Sequence, residues 1–355
     1  MYDVRGPVVD EAARMEEEGK KIIKLNIGNP APFGFEAPDE VIHDLKRNVR
    51  SCEGYSDSRG LFSARKAVMQ YYQLLGMHVS INDIYTGNGV SELITLSMQG
   101  LLDYGDEILV PSPDYPLWTA CITLAGGKAV HYICDEQADW FPDLDDIRSK
   151  ITDRTKAIVI INPNNPTGKI YSEDEIKSLA EILRENLKKT GRVTYLICDE
   201  PYRAIVYDNK VVPPVFPEYD SSIIVSSFAK NLSLPGERIG YIAVNPKCED
   251  ALSLVAGAIF SLRVLGYVNA PAFFQKVIAE SWNAQVDFSS YLNRRNLLMK
   301  VLDKAGLEYF RPEGAFYLFV KVPQKFNDDD MAFADHLKKF NILCAPGTGF
   351  GGKGW

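Results

Sequence analysis

Residues 226–240 read Ser-Ser-Phe-Ala-Lys-Asn-Leu-Ser-Leu-Pro-Gly-Glu-Arg-Ile-Gly and follow the apolar run Ile223-Ile224-Val225. That run has the look of a buried strand, and it opens into a polar turn carrying Ser227, Lys230 and Arg238. A lysine placed where a strand leaves the core is a usable amine nucleophile for a carbonyl group. Arg238, eight residues further on, offers a planar fork of donors suited to a phosphate. Two hydroxyls, a lysine and an arginine in so short a span suggest a phosphorylated aldehyde. On this segment alone, ordinary solvated charge is an equal reading.

Outward from this turn the chain has a βα rhythm that begins near residue 83. Candidate strands are 83–86, 107–111, 128–133, 156–161, 193–198, 222–227 and 239–244, with helical patterns at 91–102, 116–125, 143–149, 172–188 and 246–259. Ser172 with Glu175 three residues later makes a capping box for the helix at 172. Continuously apolar strands such as Ala157-Ile158-Val159-Ile160-Ile161 belong in sheets covered on both faces. An α/β sandwich follows, with an antiparallel or irregular edge. Upstream, residues 9–20 read as a helix leading into a short strand at 22–28, and 38–49 and 60–75 as amphipathic helices. Downstream, one long helical pattern covers 271–305, and strands at 316–320 and 341–344 flank a helix at 329–339. The expected division is an N-terminal arm (1–28) joining a small domain (271–355), with a large α/β domain (29–270) between them.

Composition narrows the class. The 355 residues carry a net charge of -8, with no positive cluster of the kind a nucleic-acid surface needs. The six cysteines (Cys52, Cys121, Cys134, Cys198, Cys248 and Cys344) lack metal or redox spacing and read as free thiols of a reducing compartment. The four histidines show no ligand spacing either, so no metal is expected. Neither a signal peptide nor a run of membrane-spanning length is present, and a cytoplasmic protein is expected.

In open α/β sheets ligands collect at the carboxyl ends of strands. After 83–86 comes Gly87-Asn88-Gly89-Val90-Ser91-Glu92, where small residues let a phosphate approach the backbone N–H groups of Val90 and Ser91. After 107–111 comes Pro113-Asp114-Tyr115-Pro116-Leu117-Trp118; Tyr115 suits stacking on a flat heterocycle, while Trp118 reads rather as packing. After 156–161 the prolyl turn Asn162-Pro163-Asn164-Asn165-Pro166-Thr167-Gly168 fixes an amide, and Asn165 can donate to a phenolic oxygen. After 193–198 comes Asp199-Glu200-Pro201-Tyr202, where a buried carboxylate needs a partner and a protonated pyridine nitrogen provides one. Each signal is modest. Together they are the parts for pyridoxal 5'-phosphate: Lys230 for the aldehyde, Ser227, Arg238 and the helix start at 90–91 for the phosphate, Asp199 for the ring nitrogen, Tyr115 for the ring face, Asn165 and Tyr202 for the ring oxygen.

With these motifs the chain resembles the fold-type-I, class I/II pyridoxal-phosphate-dependent aminotransferases along nearly its whole length. The most specific motifs are Asn164–Gly168, Asp199 with Tyr202, and Ser227 with Lys230 followed by Arg238 and Gly240. Residues 24–35 and 87–118 are similar to bacterial alanine aminotransferase-like members. The resemblance implies a large domain with a mostly parallel seven-stranded sheet plus a small α/β domain. It implies that Lys230 binds the cofactor covalently and then moves the proton at the substrate Cα, that Asp199 keeps the ring protonated, and that Tyr202 and Asn165 tune its oxygen. Gly28 and Asn165 are expected to lie against the substrate, and Tyr55 to reach the phosphate of a neighbouring subunit in a symmetric homodimer.

The implied reaction is amino-group exchange between an L-amino acid, alanine-like favoured, and a 2-oxo acid such as 2-oxoglutarate or pyruvate. A lyase or decarboxylase on the same fold is the alternative, and a non-catalytic cofactor sensor a remote one. Arg263, in an apolar segment, reads as a surface or ion-paired arginine. Relatives continue past Gly347–Gly351 to an arginine that clamps the substrate carboxylate, whereas this sequence stops at Trp355. We therefore expect a fragment that binds the cofactor but transaminates poorly.

Overall fold

In the computed structural model, which describes residues 6–355, the βα rhythm becomes one sheet. The elements are α1 (Gly6–Glu17), β1 (Ile23–Lys24), α2 (Asp39–Asn48), α3 (Phe62–Leu74), β2 (Ile84–Gly87), α4 (Gly89–Leu101), β3 (Glu107–Ser112), α5 (Leu117–Leu124) and β4 (Lys128–Ile133). They continue with α6 (Leu144–Lys150), β5 (Thr155–Ile161), α7 (Glu173–Thr190), β6 (Tyr195–Asp199), β7 (Ser222–Ser227), β8 (Gly240–Val244) and α8 (Ala251–Val264). The last are α9 (Ala272–Ser281), α10 (Ser289–Ala305), α11 (Asp330–Lys338) and β9 (Ile342–Leu343). The large sheet has the order β2-β8-β7-β6-β5-β3-β4.

Burial alternates along its strands. Ile158 and Ile160 of β5 and Leu196 and Cys198 of β6 face a core shared with α2, α3, α7 and α9 through Val41, Tyr72, Leu179 and Val277. Val159, Ile161 and Ile197 face the opposite core, shared with α4, α5 and α8 through Leu93, Trp118 and Val255. A strand buried on both faces cannot afford a polar face, which is why these runs are continuously apolar. The capping box at Ser172 is present, with the Glu175 amide donating to the Ser172 hydroxyl and the Ser172 amide to the Glu175 carboxylate. Gly191, at φ 70°, closes α7 in the left-handed region that a side chain disfavours. All six cysteines are free thiols. Among the described residues no helix is long and apolar enough to cross a membrane.

Four sequence expectations change. The antiparallel strand is β8, which pairs antiparallel with both β7 and β2 and so lies one strand in from the edge. The chain doubles back after Lys230, so β8 must run against β7. Gly240 permits the contact, since a Cβ there would sit 2.8 Å from the Ser226 carbonyl oxygen. The helix expected at 246–259 is displaced to Ala251–Val264.

The pattern at 271–305 is two helices, α9 ending at Ser281 and α10 beginning at Ser289, whose amide donates to the Asp287 carboxylate (2.9 Å). Val277 and Ile278 of α9 then join the main core, while Tyr291 of α10 stacks on Phe35 and Phe316. Residues 316–320 form no strand. Ala315 sits at φ 57° and its N–H donates to the Ile205 carbonyl (3.0 Å), turning the chain out of an extended course. Ile23 and Lys24 pair in parallel with Ile342 and Leu343, which ties the N-terminal segment to the C-terminal one.

Candidate active site

The register of the central strands gathers the chemistry. Asp199, the last residue of β6, pairs with Ile161 at the end of β5 and Val225 near the end of β7, and β7 ends at Ser227, opposite Gly240. The carboxyl ends of three parallel strands therefore open on one place.

Asp199 is buried at 3% exposure. One carboxylate oxygen accepts the indole N–H of Trp118 at 3.0 Å, and the other has no hydrogen-bond partner among the described residues. Burial pushes its pKa up to about 7, with the Trp118 hydrogen bond pulling the other way. A buried carboxylate with an open oxygen is a costly arrangement that a cationic N–H donor would relieve.

Tyr202 lies on the turn beyond β6, its hydroxyl 2.5 Å from that of Tyr317 and its own pKa raised well above the usual value by desolvation. Lys230 is half-buried after β7. Its ammonium donates to the Gly28 carbonyl at 3.4 Å and stands 5.3 Å from the Phe316 ring centre and 5.9 Å from that of Tyr202. At Gly28 a Cβ would fall 2.8 Å from Phe316 Cε2 and 3.5 Å from the Tyr317 hydroxyl. No side chain fits between the lysine and that aromatic wall without displacing it.

In the turn after β5 the two asparagines divide the work. Asn164 Oδ1 accepts from both the amide (3.1 Å) and the hydroxyl (2.8 Å) of Thr167, holding the turn. Asn165 Oδ1 is buried and has no partner among the described residues. At the other side, Arg238 follows a left-handed backbone (φ 50°), donates to the Pro235 carbonyl at 2.9 Å and lies over Gly89, whose Cβ would be 2.9 Å from the guanidinium. Gly89 opens α4 with no side-chain cap at Asn88, so the first-turn amides, those of Val90 and Ser91 among them, face an arginine across a glycine. The Ser227 hydroxyl accepts from the Ala229 amide (3.4 Å). Tyr115 is half-buried against the α5-side core.

The structure thus brings together Gly28, Lys230 and Tyr202 at one mouth, and Gly89, Val90, Ser91 and Arg238 at another. It does not bring Tyr55 to either within one chain: that ring is 90% exposed. Arg263 is exposed and donates to the Ser58 hydroxyl at 3.0 Å. Sequence reasoning placed Trp118 in packing alone. It is fully buried, but it also holds Asp199, and a signal was there, since a buried indole N–H needs an acceptor. Tyr317 was missed because its segment reads as a strand. The open oxygen of Asp199 and the glycine-lined cradle beneath Arg238 fit a flat, protonated heterocycle with a phosphate arm.

The chain is similar to known proteins along nearly its whole length. The family described as aminotransferase class I and II matches residues 20–355. The glutamate-pyruvate aminotransferase AlaA of Escherichia coli is 46% identical, covering 98% of this chain and 88% of its own. The alanine aminotransferase of Mycobacterium tuberculosis is 40% identical, covering 99% and 83%. An amino transferase of Eubacterium rectale, solved by crystallography, superimposes with a TM-score of 0.92 at 34% identity, covering 99% of this chain and 89% of its own.

Proposed function

The chain belongs to the class I and II aminotransferases and moves an amino group between an amino acid and a 2-oxo acid, and from that premise we propose pyridoxal phosphate as its cofactor, alanine as its favoured donor, and 2-oxoglutarate or pyruvate as acceptor. The observation that carries the cofactor is the buried Asp199 with one oxygen open. When bound, pyridoxal phosphate supplies an aldehyde that takes up an amino group and a protonated ring that draws electrons from the bonds at the substrate Cα.

The chain's own residues do the rest. Asp199 holds the proton on the ring nitrogen, and Trp118 holds Asp199. Tyr202 and Asn165 donate to the ring oxygen, and Tyr115 lies against the ring. Ser227, Arg238 and the amides of Val90 and Ser91 bind the phosphate. Lys230 would hold the aldehyde carbon, the aldehyde oxygen leaving as water, and as a neutral amine would carry a proton between the substrate Cα and that carbon, two bonds away across the transferred nitrogen. Gly28, with Phe316 and Tyr317 close behind it, narrows the mouth, which supports a small side chain and agrees with the names of the relatives. The exposed Tyr55 suits a contact with the phosphate of a neighbouring subunit in a homodimer. A cytoplasmic setting belongs to the same reading. Lyase and cofactor-sensing alternatives are not favoured, because the relatives are transaminases.

The test is Lys230→Ala. Transamination of alanine with 2-oxoglutarate should fall by on the order of 10³-fold; turnover retained at the native level would overturn the reading.

A further inference from the structure

Residues 314–317 read Gly-Ala-Phe-Tyr and continue as the apolar run Leu318-Phe319-Val320, yet the fold does not use them as a strand. Two hydrogen bonds clamp Ala315: its N–H to the Ile205 carbonyl at 3.0 Å, and its carbonyl from the Tyr207 hydroxyl at 2.6 Å. Ile205 and Tyr207 follow Tyr202 on the same loop, so the clamp delivers the next two side chains to that tyrosine. Phe316 and Tyr317 both meet the Tyr202 ring edge-on, at 5.4 and 5.5 Å between centres. The hydroxyls of Tyr202 and Tyr317 are then 2.5 Å apart.

Two hydroxyls at that separation share one hydrogen bond, and its direction decides what Tyr202 can do. If Tyr202 donates, its only proton is spent on Tyr317. If Tyr317 donates, the Tyr202 proton remains for another acceptor, and the bond received makes Tyr202 a stronger donor. An anionic ring oxygen on the Tyr202 side selects the second arrangement. The titratable groups facing Tyr202 are Tyr317, Asp199 and Tyr115, together with Lys230 over its ring. Tyr317 is hydrogen-bonded to its hydroxyl.

We propose that Tyr317 is a positioning residue of the amino-transfer site: its hydroxyl donates to the Tyr202 oxygen and commits the Tyr202 proton to the cofactor's ring oxygen. This rests on the role given to Tyr202 above. Tyr317 thereby stabilises negative charge on that oxygen through Tyr202 and not by contact with it.

The test uses the cofactor-loaded protein and reads the pH midpoint of the bound cofactor's visible absorbance in four forms: native, Tyr317→Phe, Tyr202→Phe and the double variant. Tyr317→Phe keeps the half-buried ring and its contacts, and the thermal midpoint of each unloaded variant verifies the fold. Tyr317→Phe should raise the absorbance midpoint by about 0.7 pH units, a roughly fivefold change in the proton dissociation constant, the size of one ordinary hydrogen bond. Tyr202→Phe should raise it further, and the double variant should match Tyr202→Phe, because without the Tyr202 hydroxyl Tyr317 has nothing to act through. A Tyr317→Phe midpoint equal to the native one, beside a shifted Tyr202→Phe, overturns the inference and leaves Tyr202 in place. A double variant displaced beyond Tyr202→Phe overturns it as well, since Tyr317 would then act independently. If neither single variant moves the midpoint, the role of Tyr202 itself fails and this inference falls with it.

Discussion

Asp199 and Glu200 are neighbours at the end of β6, both carboxylates and both buried, at 3% and 1% exposure, but they turn to opposite faces of the sheet and meet opposite treatment. Glu200 is closed by its own chain. Tyr72 donates to one oxygen at 2.9 Å and Arg203 to the other at 2.7 Å. Tyr72 continues to the Tyr241 hydroxyl at 3.1 Å, and Arg203 also donates to the carbonyls of Val212 and Pro213. Among the described residues the Asp199 carboxylate has the indole N–H of Trp118 on one oxygen and no partner on the other. The same cost of burial applies to both. Both oxygens of Glu200 have partners from the fold, whereas one oxygen of Asp199 has none among the described residues, and in the proposed function that open position is the one the cofactor fills.

Three variants break or sharpen this contrast. The largest effect is expected for Asp199→Asn, which keeps the shape and removes the charge: turnover should fall on the order of 10³-fold, read by steady-state kinetics. The same variant tests the open oxygen without any ligand. Asp199 in the folded chain releases its proton at about 7 against an ordinary 3.8. Between those values the unfolded chain has lost a proton that the folded one keeps, so stability of the unloaded protein falls as pH rises through that window, by up to roughly 1.4 kcal/mol per pH unit. Asp114, buried and likewise pushed up to about 7, adds a slope of the same sign. Asp199→Asn should remove its share and leave that of Asp114. Denaturant midpoints from about pH 5 to pH 8 that keep the native slope would show that Asp199 is not the costly group.

Next in size is Glu200→Gln, which leaves Arg203 buried beside a neutral partner. Unfolding free energy should drop by about 3–5 kcal/mol, measured by urea denaturation, while the folded fraction still binds cofactor. A loss of cofactor affinity as large as that of Asp199→Asn would erase the distinction between the two carboxylates. The smallest effect belongs to Trp118→Phe. It removes the one donor to Asp199, costs about 1 kcal/mol from the lost hydrogen bond, and should move the pH window of instability upward, because that bond opposes the rise in the Asp199 pKa. A window that stays in place would mean that Trp118 only packs.

Much of the site could be read before folding because strand ends are announced by where apolar runs stop. Lys230, Asp199 and Asn165 each follow such a run and Arg238 immediately precedes one, and their chemistry is carried by residue type. What escaped is contact between distant segments. Trp118 and Asp199 are 81 residues apart, and Tyr202 and Tyr317 are 115 apart. Neither pairing has a local period or spacing. Local pattern also misled at 316–320, where an apolar run of strand-like composition is bent by hydrogen bonds to residues 205 and 207, and at 271–305, where helical periodicity runs past the break between Ser281 and Ser289.

By itself, then, the sequence determined the alternation of strands and helices, the two-faced burial of the sheet and the kinds of group that stand at its carboxyl end, because these follow from short-range periodicity and side-chain chemistry. The tertiary structure alone decided which of those groups is left without a partner. An open oxygen on Asp199 and a closed one on Glu200 are properties of what the rest of the chain brings near, and two adjacent acidic residues in a sequence carry no mark of that difference.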